Sequence, residues 1–151
     1  MSRLERVSPD QPDVAELLTA HLQLMRAQTP AESCHALDPD ALAGPQIALY
    51  CLRQDGRAVA VGAIQTQDNW GELKSMHTRH ALRGRGIGRR LLIGLIEEAR
   101  VRAPTGLRLE TGSGSEHAAA RALYASEGFT PCPPFGAYAP DPLSTFMQRA
   151  L

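Results

Sequence analysis

The stretch RGRGIGRR, residues 83–90, constrains this chain more than any other feature. Three glycines sit among four arginines, and an apolar helical pattern follows at once. Glycine lets a backbone come close to another group with no Cβ in the way. Arginine offers a fork of donors to an anion. GELKSMHTR, just before, reads as a strand. GIGRRLLIGLIEEARVR reads as a helix with Leu91, Leu92, Leu95, Ile96 and Ala99 on one stripe. A helix start leaves backbone N–H groups unpaired, and its dipole favours negative charge. Strand, glycine turn and helix together predict an anion site. The alternative is a tight turn with a solvated arginine face.

The remaining pattern fits an α/β (α+β) chain. VAELLTAHLQLMRA after Pro12 and Asp13 predicts an amphipathic helix with Leu17, Leu18, His21, Leu22 and Met25 on one face. TPAESCHALDPDALAGP predicts a short second helix with loops. IALYCLR and AVAVGAIQTQ predict a hairpin around Asp55-Gly56. LRLETG predicts a strand, and Ser113 with Glu116 has capping-box spacing ahead of HAAARALYASE, which Gly128 ends. Phe129 begins another strand, and STFMQRAL is the last. Strand–helix–strand order after a meander implies at least one parallel crossover.

At 151 residues and 43% hydrophobic, the chain is expected to be a single domain over residues 1–151 with a real core. Its formal net charge of zero argues against a general nucleic-acid or membrane-surface binder. Lys74, Arg79, Arg83, Arg85, Arg89 and Arg90 nevertheless form a run without Asp or Glu, suited to a small, highly charged anion. Cys34, Cys51 and Cys132 lack CxxC spacing, so neither a disulfide framework nor a metal site is indicated. No apolar run suggests a signal peptide or a membrane span, and the expected location is cytoplasmic. The pattern GxxxxGK[ST] is absent, which argues against a phosphate-transferring NTPase. GxGxxG is not met either, because Gly84, Gly86 and Gly88 alternate.

Arg83-Gly84-Arg85-Gly86-Ile87-Gly88 resembles the [QR]xxGx[GA] loop of the GNAT acetyltransferase superfamily, which holds the pyrophosphate of acetyl-coenzyme A. GELKSMHTRHALRGRGIG resembles that family's fourth strand running into the loop, and AAARALYASEGF resembles its A..LY...GF helix and strand start. ESCHALD, ELKSMHTR, LETGSG and PFGAYAPDPLSTFM are similar to a prokaryotic YsnE-type subgroup. The resemblance implies a mixed, mostly antiparallel sheet of six to seven strands, splayed between the fourth and fifth and flanked by about four helices. It also implies an acyl-CoA-dependent N-acetyltransferase that uses acetyl-CoA as cosubstrate and no metal. One departure from the family stands out: His117 takes the place of an asparagine that contacts the cofactor.

Acetyl transfer to an amine requires a positioned thioester, loss of a proton from the amine, donors for the oxyanion and a departing thiolate. By the resemblance, strand backbone around Met76 and Thr78 pairs with the pantetheine arm, and an N–H at His77 or Thr78 faces the oxyanion. Tyr124 matches a tyrosine beside the cofactor sulfur and is a candidate proton donor; otherwise it is a core residue. Glu72 matches the catalytic glutamate of histone-acetylating members. Glu110 lies near the end of the neighbouring strand. Either carboxylate, or ordered water, serves as the base, and a carboxylate does so only if partial burial raises its pKa or a water chain relays the proton. His77 alternates to the strand face opposite Glu72 and is more often a packed histidine than a base.

The acceptor enters opposite the cofactor, past segments that contain Ser33, His35, Asp38, Phe135, Tyr138, Asp141 and Ser144. Of these, His35, Tyr138, Asp141 and Ser144, with Glu110, are the substrate-binding candidates, unless the proline-rich last loop is only a rigid cover. Aromatic and acidic groups together suit a cationic amine. The expected partner is a small-molecule amine, a simple amine or an amino acid, with no nucleic acid and no membrane; a homodimer is admissible. A protein or peptide acceptor, or coenzyme A binding without catalysis, are the competing readings. A closed pocket favours a small molecule and an open groove favours a protein.

Overall fold

The computed structural model describes residues 4–151. Its sheet has seven strands in the order β1-β2-β3-β4-β5-β7-β6. These are β1 (Leu4–Arg6), β2 (Ile47–Gln54), β3 (Arg57–Gln67), β4 (Trp70–Thr78), β5 (Gly106–Gly112), β6 (Thr130–Pro131) and β7 (Ser144–Ala150). Among the described residues three α-helices accompany them: α1 (Pro12–Gln28), α2 (Ile87–Arg102) and α3 (Ala118–Ser126). All neighbouring strands run antiparallel except β4 and β5.

Local chemistry accounts for most of these elements. Asp55 and Gly56 both take positive φ, 52° and 79°, which gives the hairpin turn a twist that suits its strands. Asp68 and Asn69 do the same between β3 and β4, at 53° and 67°. The α2 stripe Leu91, Leu92, Leu95, Ile96 and Ala99 is buried against the core on one face of the sheet. Val14, Leu17 and Leu18 of α1 bury against Leu49, Val61 and Ala63 in a second cluster.

Two expectations change. The short second helix between α1 and β2 is instead two 3-10 turns, Ala31–Ser33 and Pro39–Ala43, separated by extended chain. Pro30 and Pro39 each open a turn, and too few residues lie between them for an α-helix to propagate. The capping box also fails to form. A 3-10 turn over Ser115–His117 precedes α3, whose N-cap is His117 with no side-chain cap bond. Ser113 donates its hydroxyl to the carbonyl of Pro142 instead, at 2.7 Å, and so ties the end of β5 to the last loop.

The site depends on one irregularity and one gap. Ala63 pairs with Lys74 but Val61 pairs with His77, so Ser75 and Met76 together oppose Gly62 in a β-bulge. Ser75 takes φ 57° there. On the other side of β4, pairing with β5 stops at Leu73 and Leu109, although β4 continues to Thr78 and β5 to Gly112. Beyond that point the two strands part, as expected between the fourth and fifth strands. Their free backbone edges face a cavity.

Candidate active site

The cavity between the parted strands measures about 420 Å³. At one end lies the glycine loop. Gly84 and Gly86 have φ of 79° and 78°, a region that side chains rarely adopt, and Gly86 is the N-cap of α2. A Cβ built on either would meet nothing within 4 Å, so each borders open space. The loop therefore presents bare backbone at a helix N-terminus, which is what a phosphate requires. Arg83 Nε lies 3.4 Å from the carbonyl of Thr78, tying the loop to β4.

The six basic residues of the run do not form one patch. Arg79 is held by Glu16 and by the carbonyl of Ala58. Arg89 pairs with Glu127 and donates to Ser126 at 2.9 Å. Lys74 belongs to the far end of the cavity. Among the described residues no ion pair is formed by Arg83 or Arg85, and these two remain to meet an anion.

Midway along, Tyr124 of α3 reaches the cavity with its hydroxyl 3.8 Å from Met76 Sδ. Burial pushes its pKa up to about 12, with Glu110 adding to the shift, so the phenol is a held proton at neutral pH. Phe129 packs edge-on to its ring at 5.9 Å. His77 is buried and stands 5.4 Å from His21 of α1, ring to ring. Burial, reinforced by Arg83 and Arg79, pushes His77 down to about 4; burial does the same to His21, reinforced by His77 and Arg83. Both imidazoles are neutral at physiological pH, and His77 is a packed histidine. It does not lie on the strand face opposite Glu72, because the bulge at Ser75 and Met76 shifts the alternation and turns His77 to the α1 face that Glu72 and Lys74 share. His117 also lines the cavity; its Nε2 is buried with no hydrogen bond, and Glu116 Oε1 stands 4.0 Å away. A Cβ on Gly112 would fall 2.1 Å from the His117 ring, so glycine at 112 is what lets this imidazole sit there.

At the opposite end the two carboxylates differ sharply. Glu72 accepts a hydrogen bond from Tyr138 at 2.5 Å and pairs with Lys74 at 3.0 Å, while Lys74 donates to the Tyr138 hydroxyl at 3.1 Å. The three close a triangle. Glu110 enters no ion pair among the described residues. Burial pushes its pKa up, against smaller opposing pulls from Ser144, His35 and Lys74. Ser144 Oγ is itself buried and completes no hydrogen bond of normal geometry. Arg108 does not neutralise Glu110; it stacks 3.8 Å over the Trp70 ring.

Tyr138 packs edge-on to His35 at 5.0 Å and to Phe135 at 5.2 Å, which brings the last loop over the acceptor end. Asp141 does not line the cavity. It accepts from Ser33 Oγ at 2.6 Å and from the N–H of Leu143 at 2.8 Å, and so fastens the last loop to the turn after α1. Asp38 pairs with Arg26 at 3.3 Å, away from the site. Ser144 and Arg85 also lie outside the cavity lining, whereas the remaining site candidates, Met76, Thr78, Ile87 and Gly88 among them, line it.

His21 and Lys74 line the cavity without being among the sequence candidates. His21 reads in sequence as part of an apolar helix face, and nothing local marks it as facing a cavity. Lys74 reads as part of the anion-binding run. Its spacing of two from Glu72 on a strand was the available signal, since that spacing puts both on one face. Among the described residues no group of three or more His, Cys, Asp or Glu is placed to hold a metal ion. Among the described residues no helix is long and apolar enough to cross a membrane.

Comparison with known proteins agrees with this geometry. The model of the acetyltransferase (GNAT) family matches residues 14–129. The chain is 41% identical over 150 residues to the IAA acetyltransferase of Azospirillum brasilense, covering 98% of this chain and 97% of that protein. It is 39% identical to the uncharacterized N-acetyltransferase YsnE of Bacillus subtilis, covering 91% and 92%. A crystal structure from Klebsiella pneumoniae, provisionally assigned as an acyl-CoA N-acyltransferase, superposes with a TM-score of 0.80 at 31% identity, over 100% of this chain and 98% of that one. The chain belongs to the GNAT acetyltransferase family. It is an acyl-CoA-dependent N-acetyltransferase, and acetyl-CoA is the family's cosubstrate.

Proposed function

We propose that the protein transfers an acetyl group from acetyl-CoA to the primary amine of a small molecule, by direct attack in a ternary complex. The observation that carries this reading is the roof over the acceptor end: Tyr138 is bonded to both Glu72 and Lys74, and Asp141 fastens the same loop to Ser33. A roofed pocket suits a small acceptor better than a protein chain. The relative from Azospirillum brasilense, named for IAA, is in keeping with a small molecule.

The roles follow from position. The backbone N–H groups of Arg85 to Gly88 receive the pyrophosphate, with Arg83 adding charge. The free edge of β4, from the bulge to Thr78, pairs with the pantetheine arm, and N–H groups at His77 or Thr78 face the developing oxyanion. Glu110 is the base rather than Glu72. A base must be free and must have its pKa raised toward neutrality, and Glu72 is engaged by Lys74 and Tyr138. The acceptor ammonium gives one proton to Glu110, and the resulting amine bonds to the acetyl carbon. The carbon–sulfur bond breaks, Tyr124 supplies a proton to the thiolate, and the second proton of the acceptor nitrogen returns through water to Tyr124, leaving a neutral amide. His117, whose Nε2 makes no hydrogen bond, takes over the contact that asparagine makes elsewhere in the family.

A screen of amine acceptors, following release of the coenzyme A thiol, tests the reading. Turnover with small primary amines and none with peptides is expected. Turnover with peptides alone would replace it by the protein-acetylating reading.

A further inference from the structure

The acceptor end contains one feature that a site for a simple amine does not call for. Lys74 lines the cavity on the same strand face as Glu72, and its side chain is only 12% exposed. A buried ammonium is costly unless it is paired. It also repels an incoming cationic amine where the dielectric is low. Lys74 has three N–H donors, and Glu72 and Tyr138 account for two of them. Glu110 faces the same end from β5, close enough for Lys74 and Glu72 both to act on it electrostatically. The acceptor end thus offers a cation with a spare donor beside a carboxylate with no ion pair.

We infer that the acceptor carries a carboxylate as well as its amine, an amino acid in the broad sense, with the carboxylate received by Lys74 and the amine presented to Glu110. This rests on the small-molecule reading above and narrows it. An amine without an acid group leaves the third donor of Lys74 unmatched. A zwitterion answers both groups and adds no net charge to a half-buried site. The aromatic wall of Tyr138 and His35 then borders the remainder of the acceptor.

The test uses matched acceptors that differ only in the acid group: phenylalanine with phenethylamine, leucine with 3-methylbutylamine, and 4-aminobutyrate with butylamine. For each pair the ratio of kcat/KM, acid-bearing over acid-free, is measured in the wild type, in Lys74→Met and in Lys74→Arg. Comparing ratios between enzymes cancels the different basicities of the amines, and it also cancels any general loss of active fold. Lys74→Met should lower the ratio by on the order of 10-fold or more, mainly through the KM of the acid-bearing member, as loss of a charged hydrogen bond does. Lys74→Arg should restore most of it. An unchanged ratio in Lys74→Met would make Lys74 a support for Glu72 alone and overturn the inference. Turnover confined to the acid-free amines would also overturn it, while leaving the acetyltransferase reading intact. Coenzyme A release with peptides only would remove the small-molecule reading and the inference with it.

Discussion

The two ends of the cavity are built on different principles. The glycine loop end is one continuous hexapeptide, Arg83 to Gly88, and its working parts are backbone N–H groups and two positive-φ glycines. The acceptor end draws side chains from four separate segments: His35 from the extended chain between the two 3-10 turns, Glu72 and Lys74 from β4, Glu110 from β5, and Tyr138 from the last loop. Backbone recognition needs a local conformation, so it leaves a local signature. A side-chain constellation needs only that distant segments meet, so each member looks ordinary in its own stretch of sequence. Substitutions should separate the ends accordingly. Side-chain changes at the acceptor end should alter turnover with acetyl-CoA affinity intact, and backbone changes at the loop should do the reverse.

The largest effect is expected from Glu110→Gln. Loss of a general base typically costs about 100- to 10,000-fold in rate. Because burial holds the Glu110 carboxyl above its ordinary range, wild-type turnover should rise with pH through that raised pKa as the carboxylate forms. The variant should lose this limb and partly recover at high pH, where free amine is abundant. Glu72→Gln should keep the limb and mainly raise the acceptor KM, since it loosens Lys74 and Tyr138. The opposite pattern in pH-rate profiles of the two variants would transfer the role to Glu72.

Tyr124→Phe comes next, at roughly 10- to 1000-fold in turnover. The hydroxyl meets charge that develops on sulfur only as the bond breaks, so acetyl-CoA affinity should hold while kcat falls. Equal kcat in both proteins would return Tyr124 to the core beside Phe129.

At the loop, Gly86→Val should act on binding. Val at φ 78° is strained, at about 1–3 kcal/mol, and its branched side chain enters the open space that Gly86 borders. Calorimetry should show acetyl-CoA affinity down by roughly 10-fold or more, with the circular dichroism spectrum kept. Unchanged affinity would take the pyrophosphate away from this loop.

Sequence legibility follows the same division. The hairpin at Asp55-Gly56, the α2 stripe, the glycine loop and the parting of β4 from β5 were all readable, because each rests on a local pattern or on the family resemblance. The capping box was not. Its Ser113 is drawn off by Pro142, twenty-nine residues away in sequence, a competition that no local rule registers. Asp141 was expected at the acceptor and instead clamps Ser33. Lys74 was grouped with the arginines because charge is visible in sequence, whereas its partners come from its own strand face and from Tyr138, sixty-four residues on.

The smallest effect bears on stability, and it sets the two carboxylates against each other. Glu110 has a folded pKa raised above its unfolded one, so between those values the folded chain binds more protons. Its contribution is therefore favourable at low pH and is lost as pH rises through the raised value. Glu110→Gln removes a desolvated charge at neutral pH and should raise Tm there; each kcal/mol recovered is worth roughly 2–4 °C in a chain of this size. The gain should shrink below the ordinary carboxyl range, where both forms are neutral. Glu72→Gln should have the opposite sign, because it leaves Lys74, 12% exposed, without its charge partner. Thermal melts of both variants at acid and neutral pH read this directly. A loss of stability in Glu110→Gln that is the same at both pH values would mean that Glu110 carries no burial cost, and the physical reason for preferring it as the base would fall with it.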